Sequence, residues 1–599
     1  MSVDALTAMP YGANVLPDGG VRFRLFAPSA RRVEIVRPAP SNTRDPLARV
    51  ADGFFEIVLA DAGAGSSYAF IVDGRHVPDP ASRYQPDGVH GPSVVVDPTL
   101  YAWETEAWAG RPWHETVFYE LHIGAFTEGG TYAAAAERLA DLRDLGITAI
   151  EVMPLADVPG ERNWGYDGVL PFAPSHNYGS PDELRAFVDR AHGFGIAVYL
   201  DVVYNHFGPE GNYLHAYAPE FYAQHRQTPW GAAIDVAVPG RAAVRGFFIW
   251  NAIFWLSEYR FDGLRLDAVH AIYDGAERPF LRELAERVHG NVDRVVHLVV
   301  ENDDNESTLL EAGFRAQWND DAHHAAHVVV TGQRDGYYSD YALDPIALLG
   351  RAITAGFAFQ GEPSAYRNRR ARGEPSAHLG LSSFVNFIQN HDQIGNRPLG
   401  ERITALAPAC AVRAIVAIVL LAPPIPLLFM GEEWGASTPF LFFCDFEPEL
   451  ARAVTHGRRA EFASFAEFGD ERARERIPDP SAAGTFERSR LRWAERTTAP
   501  HDAWLAYYTN LLAIRRREIV PRIESVNGAD SRFEICGRTG LRATWRLDDA
   551  TVLQLEANLS AEPLAGFPSV PRGLIVFDTH PAAYPDGLAP PWSIRWTVA

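Results

Sequence analysis

Two periodicities divide the chain. Up to about residue 98, apolar and polar positions alternate with period two, as in Val21-Arg22-Phe23-Arg24-Leu25-Phe26-Ala27. Short runs of the same kind recur at 32–36, 54–59 and 68–72, with Gly and Pro clusters between them. Such runs bury one face of a strand, and their spacing predicts a β-sandwich over 1–98. Asp97-Pro98 opens a linker over 99–114. Beyond residue 115, short apolar runs alternate with helical stretches. Strand candidates lie at 117–123, 147–153, 197–203, 263–267, 295–300, 314–318, 384–388 and 426–430. Helix candidates at 133–145, 181–194, 242–259, 278–288 and 410–421 fall between them. Pro181 opens its helix where a missing N–H costs little. This alternation predicts an α/β catalytic domain, a (β/α)8 TIM barrel over 115–520. A polar segment follows the eighth strand to about residue 500, then a closing helix at 503–516. Residues 521–599 return to short alternating strands, for example 543–547 and 551–556, which predicts a small C-terminal β domain.

Composition narrows the function. Against 54 Lys+Arg stand 76 Asp+Glu, a formal net charge of −22, which argues against a phosphate-tracking nucleic-acid binder. With 47% hydrophobic residues the chain has ample material for a large core, which excludes disorder. Cys410, Cys444 and Cys536 are too few and too scattered for a disulfide framework and fit a reducing cytoplasm. Fourteen Trp, 22 Tyr and 34 Phe first suggest an aromatic-rich core and, second, rings on which sugars stack. The N-terminus carries no basic region followed by an apolar run, so no signal peptide is expected. The uncharged stretch 414–430 is shorter than the ~20 residues of a membrane span, and Pro423, Pro424 and Pro426 interrupt it. A buried helix, a sharp turn and a buried strand are expected there, and no membrane contact.

In a barrel of this kind, catalytic groups come from the C-terminal ends of strands. The third strand ends Asp201-Val-Val-Tyr-Asn205-His206, and the fourth Arg265-Leu-Asp267-Ala-Val-His270. The fifth ends Glu301-Asn302-Asp303, and the seventh Gln389-Asn390-His391-Asp392-Gln393. An apolar strand that stops in carboxylate and imidazole is costly unless those groups face a solvated cleft. Arg265 and Asp267, two apart, point to one side of a strand. They are either a structural ion pair or a nucleophilic carboxylate kept ionised by a guanidinium. Glu301, at the lip of a dry strand, is either an exposed loop glutamate or a general acid with a raised pKa. Asp392 taken alone reads as a helix N-cap. Together, three acids at three strand ends, each beside a cation or imidazole, make the set that two-carboxylate glycosidic cleavage needs.

Other chemistries have less support. His323, His324 and His327 have helical spacing, but no Glu follows His323 as zinc hydrolysis of the H-E-x-x-H kind requires, so no metal is expected there. The sequence contains no phosphate-binding glycine loop at a strand–helix junction and no G-x-S-x-G elbow.

The clusters DVVYNH (201–206), GLRLDAVH (263–270), LVVEND around Glu301 and QNHDQ (389–393) resemble the four signature regions of the α-amylase superfamily, glycoside hydrolase family 13. The segments YELHIGAFT (119–127), NWGYDGV (163–169), PSHNYGSPDELR (174–185) and NHFGPEGNYL (205–214) look like the branch holding branching enzymes and trehalohydrolases. RAQWNDDAHHAAH (315–327), QNHDQIGNR (389–397), LLFMGEEWG (427–435) and GRRAEF (457–462) are similar to the malto-oligosyltrehalose trehalohydrolase family. LVVEND departs locally, since many relatives carry Ala-Glu there, but Glu301 stays aligned.

The resemblance implies Asp267 as nucleophile, Glu301 as general acid/base and Asp392 as transition-state stabiliser. Arg265 would orient Asp267, His206 and His391 would bond the sugar, and Tyr166 would stack beneath it. Asp201, His270, Trp318, Asn319, Asp320, His324, Gln393 and Asn396 complete the implied substrate-contacting set. The implied reaction is retaining hydrolysis of the α-1,4 bond next to a terminal trehalose. Its substrate, malto-oligosyltrehalose, would come from a malto-oligosyltrehalose synthase, and neither cofactor nor essential metal would be required. A glucan branching enzyme, with the same three acids but a sugar acceptor, is the alternative. A catalytically dead glucan-binding protein would be expected to lack at least one acid, and all three are present.

Overall fold

The computed structural model describes residues 9–38, 43–228, 231–237, 242–276, 278–464, 468–567, 573–581, 584 and 587–599. Its centre is a closed parallel barrel of eight strands: Phe118–Leu121, Ala149–Val152, Ala197–Val202, Gly263–Leu266, His297–Val300, Ala316–Trp318, Phe384–Phe387 and Ile425–Phe429. Each lies within one or two residues of its predicted span. The expected helix at 133–145 is two, Tyr132–Ala136 and Leu139–Leu145, the second stopped by Gly146 at φ 109°. Pro181–Gly193 begins where expected. Ser180 and Glu183 form a reciprocal capping box there, and Pro181 takes the first turn.

The two β appendages are present. At the N-terminus one sheet joins Gly12–Val15, Val21–Phe26, Phe54–Leu59 and Ala48–Arg49. The facing sheet joins Thr43–Pro46, Val33–Arg37, Ser67–Val72, Arg75–Val77 and Ser93–Val94. Phe23, Leu25, Ile35, Tyr68 and Phe70 are buried between them, as the alternation required. At the other end Ser531–Cys536, Gly540–Arg546, Val552–Asn558, Ile594–Val598 and Leu574–Asp578 form an antiparallel sheet. Trp545 and Trp596 stack within it at 5.4 Å, and Trp545 Nε1 donates to the carbonyl of Ile353 on a barrel helix at 3.2 Å.

The stretch 99–114 does more than connect. Trp113 is buried against the lower ends of the barrel strands with Phe118 and Tyr199, and Trp108 Nε1 donates to Asp262 at 2.7 Å. The apolar run 414–430 is a buried helix, Ala409–Leu421, a turn, and the eighth strand, Ile425–Phe429. The turn's carbonyls are met by the buried guanidinium of Arg515, which donates to Leu420, Ala422 and Pro424. Among the described residues no helix is long and apolar enough to cross a membrane.

Period two within the strands sets what points inward. Phe118, Tyr199, Val299, Trp318, Phe387 and Leu427 fill the lower barrel. Along the first four strands the inward positions change from apolar to ionisable two residues further on, Phe118 to Glu120, Ala149 to Glu151, Tyr199 to Asp201 and Gly263 to Arg265, each ionisable group at most 2% exposed. One step further, Asp267 and Glu301 stand at the mouth. The polar layer therefore begins inside the barrel, below the strand ends where it was expected.

Candidate active site

The cleft at the barrel mouth has a volume of about 990 Å³ and contains Asp267, Glu301 and Asp392. Arg265 organises the first two. Its Nη1 donates to Asp267 Oδ1 at 2.8 Å and to Asp201 Oδ2 at 2.7 Å, and its Nη2 donates to Glu301 Oε2 at 2.8 Å. A fully buried cation needs counter-charges, and three carboxyls supply them at its two terminal nitrogens, while Nε has no partner among the described residues. Asp267 Oδ2 also accepts from Asn205 Nδ2 at 2.9 Å. Glu301 Oε2 also accepts the amide of Ala268 at 2.9 Å. Ala268 is left-handed at φ 38°, a conformation costly for any residue but Gly. That turn aims the amide after the fourth strand at the acid on the fifth.

The environments of the two acids diverge. Burial pushes the Asp267 carboxyl up, but Arg265, the Asn205 hydrogen bond and His206 outweigh it and hold the group below the ordinary aspartate range. Burial pushes Glu301 up as well. Arg265 opposes this, Asp267, Asp392 and Asp320 reinforce it, and the carboxyl ends well above the ordinary range. One carboxyl favouring the ionised form beside one favouring the proton is the division of labour between nucleophile and acid. Asp201 is pushed up to about 6 by burial, despite Arg265 and the Tyr166 hydroxyl, which donates to it at 2.6 Å.

His391 begins the helix His391–Gly395. The N-cap is Asn390, whose side chain accepts the amide of Gln393 at 2.8 Å. Asp392 is thus inside the first turn, and the N-cap reading does not hold. Its Oδ1 accepts from Asn396 Nδ2 at 3.1 Å and lies 3.4 Å from His391 Nε2. Burial pushes His391 down, but Asp392 and Glu120 more than compensate and bring it up to about 9. The Tyr166 ring stacks on His391 at 5.0 Å.

Tyr166, His206, His270, His391 and Asn396 line the cleft with the three acids. His206 Nε2 bonds the carbonyl of Tyr166 at 3.0 Å, and its Nδ1 bonds Asn205 Oδ1. Other expected contacts are placed differently. Trp318 is 1% exposed and lies beneath Arg265, with the guanidinium carbon 4.2 Å from the ring centre. Asn319 is fully buried and donates to Gly356 and to Asn386 Oδ1, both at 2.9 Å. Arg265 is fully buried and Asp201 nearly so. These four side chains form the floor of the site rather than a surface that sugar can reach. His324 is buried against Tyr337 and Tyr341, with Nδ1 at 3.3 Å from the Tyr341 hydroxyl. It supports the loop from which Tyr337 enters the cleft. Asp320 and Gln393 meet at 3.2 Å beside it.

The sequence reading passed over several groups. Phe442 and Phe468 line the cleft from the segment after the eighth strand, which reads as polar, and so do Arg458 and Phe462 of GRRAEF, a motif to which no site role was given. Glu120 and Glu151 lie inside the barrel. Their signal was visible, since each is a lone carboxyl in an apolar strand, Phe-Tyr-Glu-Leu and Ala-Ile-Glu-Val.

Three family models match this chain: carbohydrate-binding module 48 (isoamylase N-terminal domain) over 10–99, the alpha amylase catalytic domain over 102–231, and a C-terminal domain of unknown function over 528–596. A malto-oligosyltrehalose trehalohydrolase of Deinococcus radiodurans is 44% identical over 85% of this chain and 83% of its own length. One from Saccharolobus solfataricus is 40% identical over 84% and 86%. The crystal structure of a candidate alpha amylase from Salmonella typhimurium superposes with a TM-score of 0.92 at 42% identity, covering 98% of this chain and 99% of that one. A pullulanase from Paenibacillus barengoltzii, at TM-score 0.72 and 18% identity, shares the fold, covering 98% of this chain and 94% of its own. With an intact set of three acids and relatives of this extent and identity, the chain belongs to the malto-oligosyltrehalose trehalohydrolase family of α-amylase-type glycosidases.

Proposed function

We propose that the protein hydrolyses the α-1,4-glucosidic bond next to the terminal trehalose of a malto-oligosyltrehalose, with retention of anomeric configuration. The observation that carries the retaining chemistry is the single guanidinium, Arg265, that holds Asp267 and Glu301 at one point of the cleft; the trehalose end rests on the likeness to trehalohydrolases. A shared fork favours the carboxyl separation of about 5–5.5 Å used by retaining enzymes over the wider gap that admits a water between the acids.

In the first step Asp267 attacks the anomeric carbon while Glu301 gives its proton to the departing glycosidic oxygen. The C–O bond breaks and a glucosyl ester of Asp267 forms. In the second step Glu301, now ionised, takes a proton from water. The water oxygen attacks the anomeric carbon and Asp267 leaves as carboxylate. Asp392, across the cleft, stabilises the positive charge that develops on the sugar in both steps. His391 and Tyr166 form the platform against which the reacting glucose rests. Every transferred proton passes through Glu301.

In this reading the enzyme works in the cytoplasm on a substrate that a malto-oligosyltrehalose synthase supplies. Chromatography of products decides between it and glucan branching. Incubation with malto-oligosyltrehalose is expected to release free trehalose and a shortened malto-oligosaccharide. New α-1,6 linkages on amylose, without trehalose release, would replace this reading with a branching enzyme.

A further inference from the structure

Glu120 comes from the middle of the first barrel strand and is 1% exposed, far from bulk water. A carboxylate in such a place needs partners. Both of Glu120's oxygens are used on one residue. Oε2 accepts the backbone amide of His391 at 3.0 Å, and Oε1 accepts from its Nδ1. Two bonds to one residue fix both its position and the rotation of its ring. The ring's other nitrogen, Nε2, then faces Asp392 Oδ1 at 3.4 Å. Three rings pack around it as well: Tyr166 stacks on it at 5.0 Å, Trp164 meets it edge-on at 5.5 Å, and Trp318 lies tilted at 6.0 Å. His391 has no freedom to turn, and its chemical form is decided by what stands at each nitrogen.

The charged groups around this pair make the arrangement specific. Glu151 stands opposite Glu120 in the strand register, Arg265 and Asp201 face the same space from the fourth and third strands, and His122 lies on the first strand's own extension. Of the two neighbouring glutamates, only Glu120 has an imidazole partner. Neither oxygen of Glu151 has a hydrogen-bond partner among the described residues.

We propose that Glu120 is a positioning residue for the hydrolysis: by clamping the amide and Nδ1 of His391 it keeps that ring a double donor, with its Nε2–H presented to Asp392 and the reacting sugar. The chain of action runs from a carboxylate beneath the site, through an imidazolium, to the carboxylate that stabilises the transition state. This is the logic by which a buried acid sets the tautomer and charge of a catalytic histidine elsewhere. Glu120 itself is sealed from the cleft and touches no substrate. The proposal rests on the hydrolytic reading given above, so wild-type trehalose release is the first measurement. Its absence would undo that reading, whereas the cycle below tests Glu120 alone.

The test is a double-mutant cycle on kcat/KM with Glu120→Gln and His391→Gln, each protein checked for folding by near-UV circular dichroism and thermal denaturation. Gln keeps the volume of Glu but cannot serve two donors with a carboxylate. If Glu120 acts through His391, Glu120→Gln lowers kcat/KM by roughly thirtyfold or more in the wild type, yet by less than about threefold when His391 is already Gln. Glu120→Asp, which keeps the charge, is expected to retain more activity than Glu120→Gln. A role in packing alone gives the reverse order, because Gln fills the site better. Equal losses in both backgrounds, or a Glu120→Gln enzyme within threefold of wild type, would overturn the proposal. If Glu120→Gln does not fold, the same cycle run with Glu120→Asp decides by the same additivity criterion.

Discussion

The guanidinium carbon of Arg265 lies 4.2 Å from the centre of the Trp318 ring, so the cation that holds Asp267 and Glu301 rests on a fully buried indole. A desolvated cation on an aromatic face gains about 2 kcal/mol and is fixed in plane. Trp318→Ala is expected to destabilise the protein by about 3–5 kcal/mol through the cavity it leaves and to lower kcat, with KM little changed. Trp318→Phe is expected to recover most of both. Thermal denaturation and steady-state kinetics provide the check. A large rise in KM at unchanged kcat would mean that the indole touches the sugar after all.

Asp267→Asn keeps the shape of the proposed nucleophile and removes its charge. Turnover is expected to fall by several orders of magnitude, while calorimetry still detects oligosaccharide binding. Arg265→Lys offers a single ammonium where a fork bridges two carboxyls, and is expected to cost at least about a hundredfold in kcat. An enzyme close to the wild-type rate in either case would overturn the assignment concerned.

The pH profile follows from the two shifts. In the proposed mechanism Asp267 must be ionised to attack, and its pKa is lowered, so activity is expected to be lost on the acid side only below the ordinary aspartate range. Glu301 must hold its proton to release the leaving group, and its pKa is raised, so activity is lost on the alkaline side only well above the ordinary glutamate range. A bell-shaped dependence of kcat/KM is expected, with limbs that belong to the coupled pair. A profile whose alkaline limb falls near the ordinary value of 4.5 would contradict the environment described for Glu301.

Glu151 gives a prediction about stability rather than rate. Burial lifts it well above its ordinary value of 4.5, with Glu120 reinforcing the shift and Arg265 opposing it. Between the unfolded and folded values the folded protein holds a proton that the unfolded chain has released. Stability from this group is therefore complete below about pH 4.5 and falls as pH rises toward the folded value. Glu151→Gln removes the titration. The difference in Tm, variant minus wild type, is expected to grow from pH 4 to pH 8. A difference constant across that range would show that the carboxyl does not titrate this way.

Much of this molecule is written locally. Alternation of period two, the capping residues Ser180, Pro181 and Glu183, and the abrupt ends of apolar runs depend only on neighbours in the chain. The eight barrel strands and both β appendages are accordingly legible without coordinates. So is the set Asp267, Glu301 and Asp392, because each acid alone has a bland explanation but three at three strand ends, each beside a cation or imidazole, point to one cleft. Tertiary structure decided which side chains reach that cleft. Trp318 and Asn319 belong to a motif that reads as substrate-contacting, yet strand pleat and barrel closure turn them into the floor. Glu120 and His391 are 271 positions apart. No local pattern says that they meet, because their pairing exists only once the first and seventh strands close around one axis. The sequence by itself determined which chemistry the chain carries, since residue type and strand phase are local. Only the closed barrel decided which acids share Arg265, which carboxyl holds His391 and which is unpartnered among the described residues, because hydrogen bonding and desolvation are set by neighbours in space.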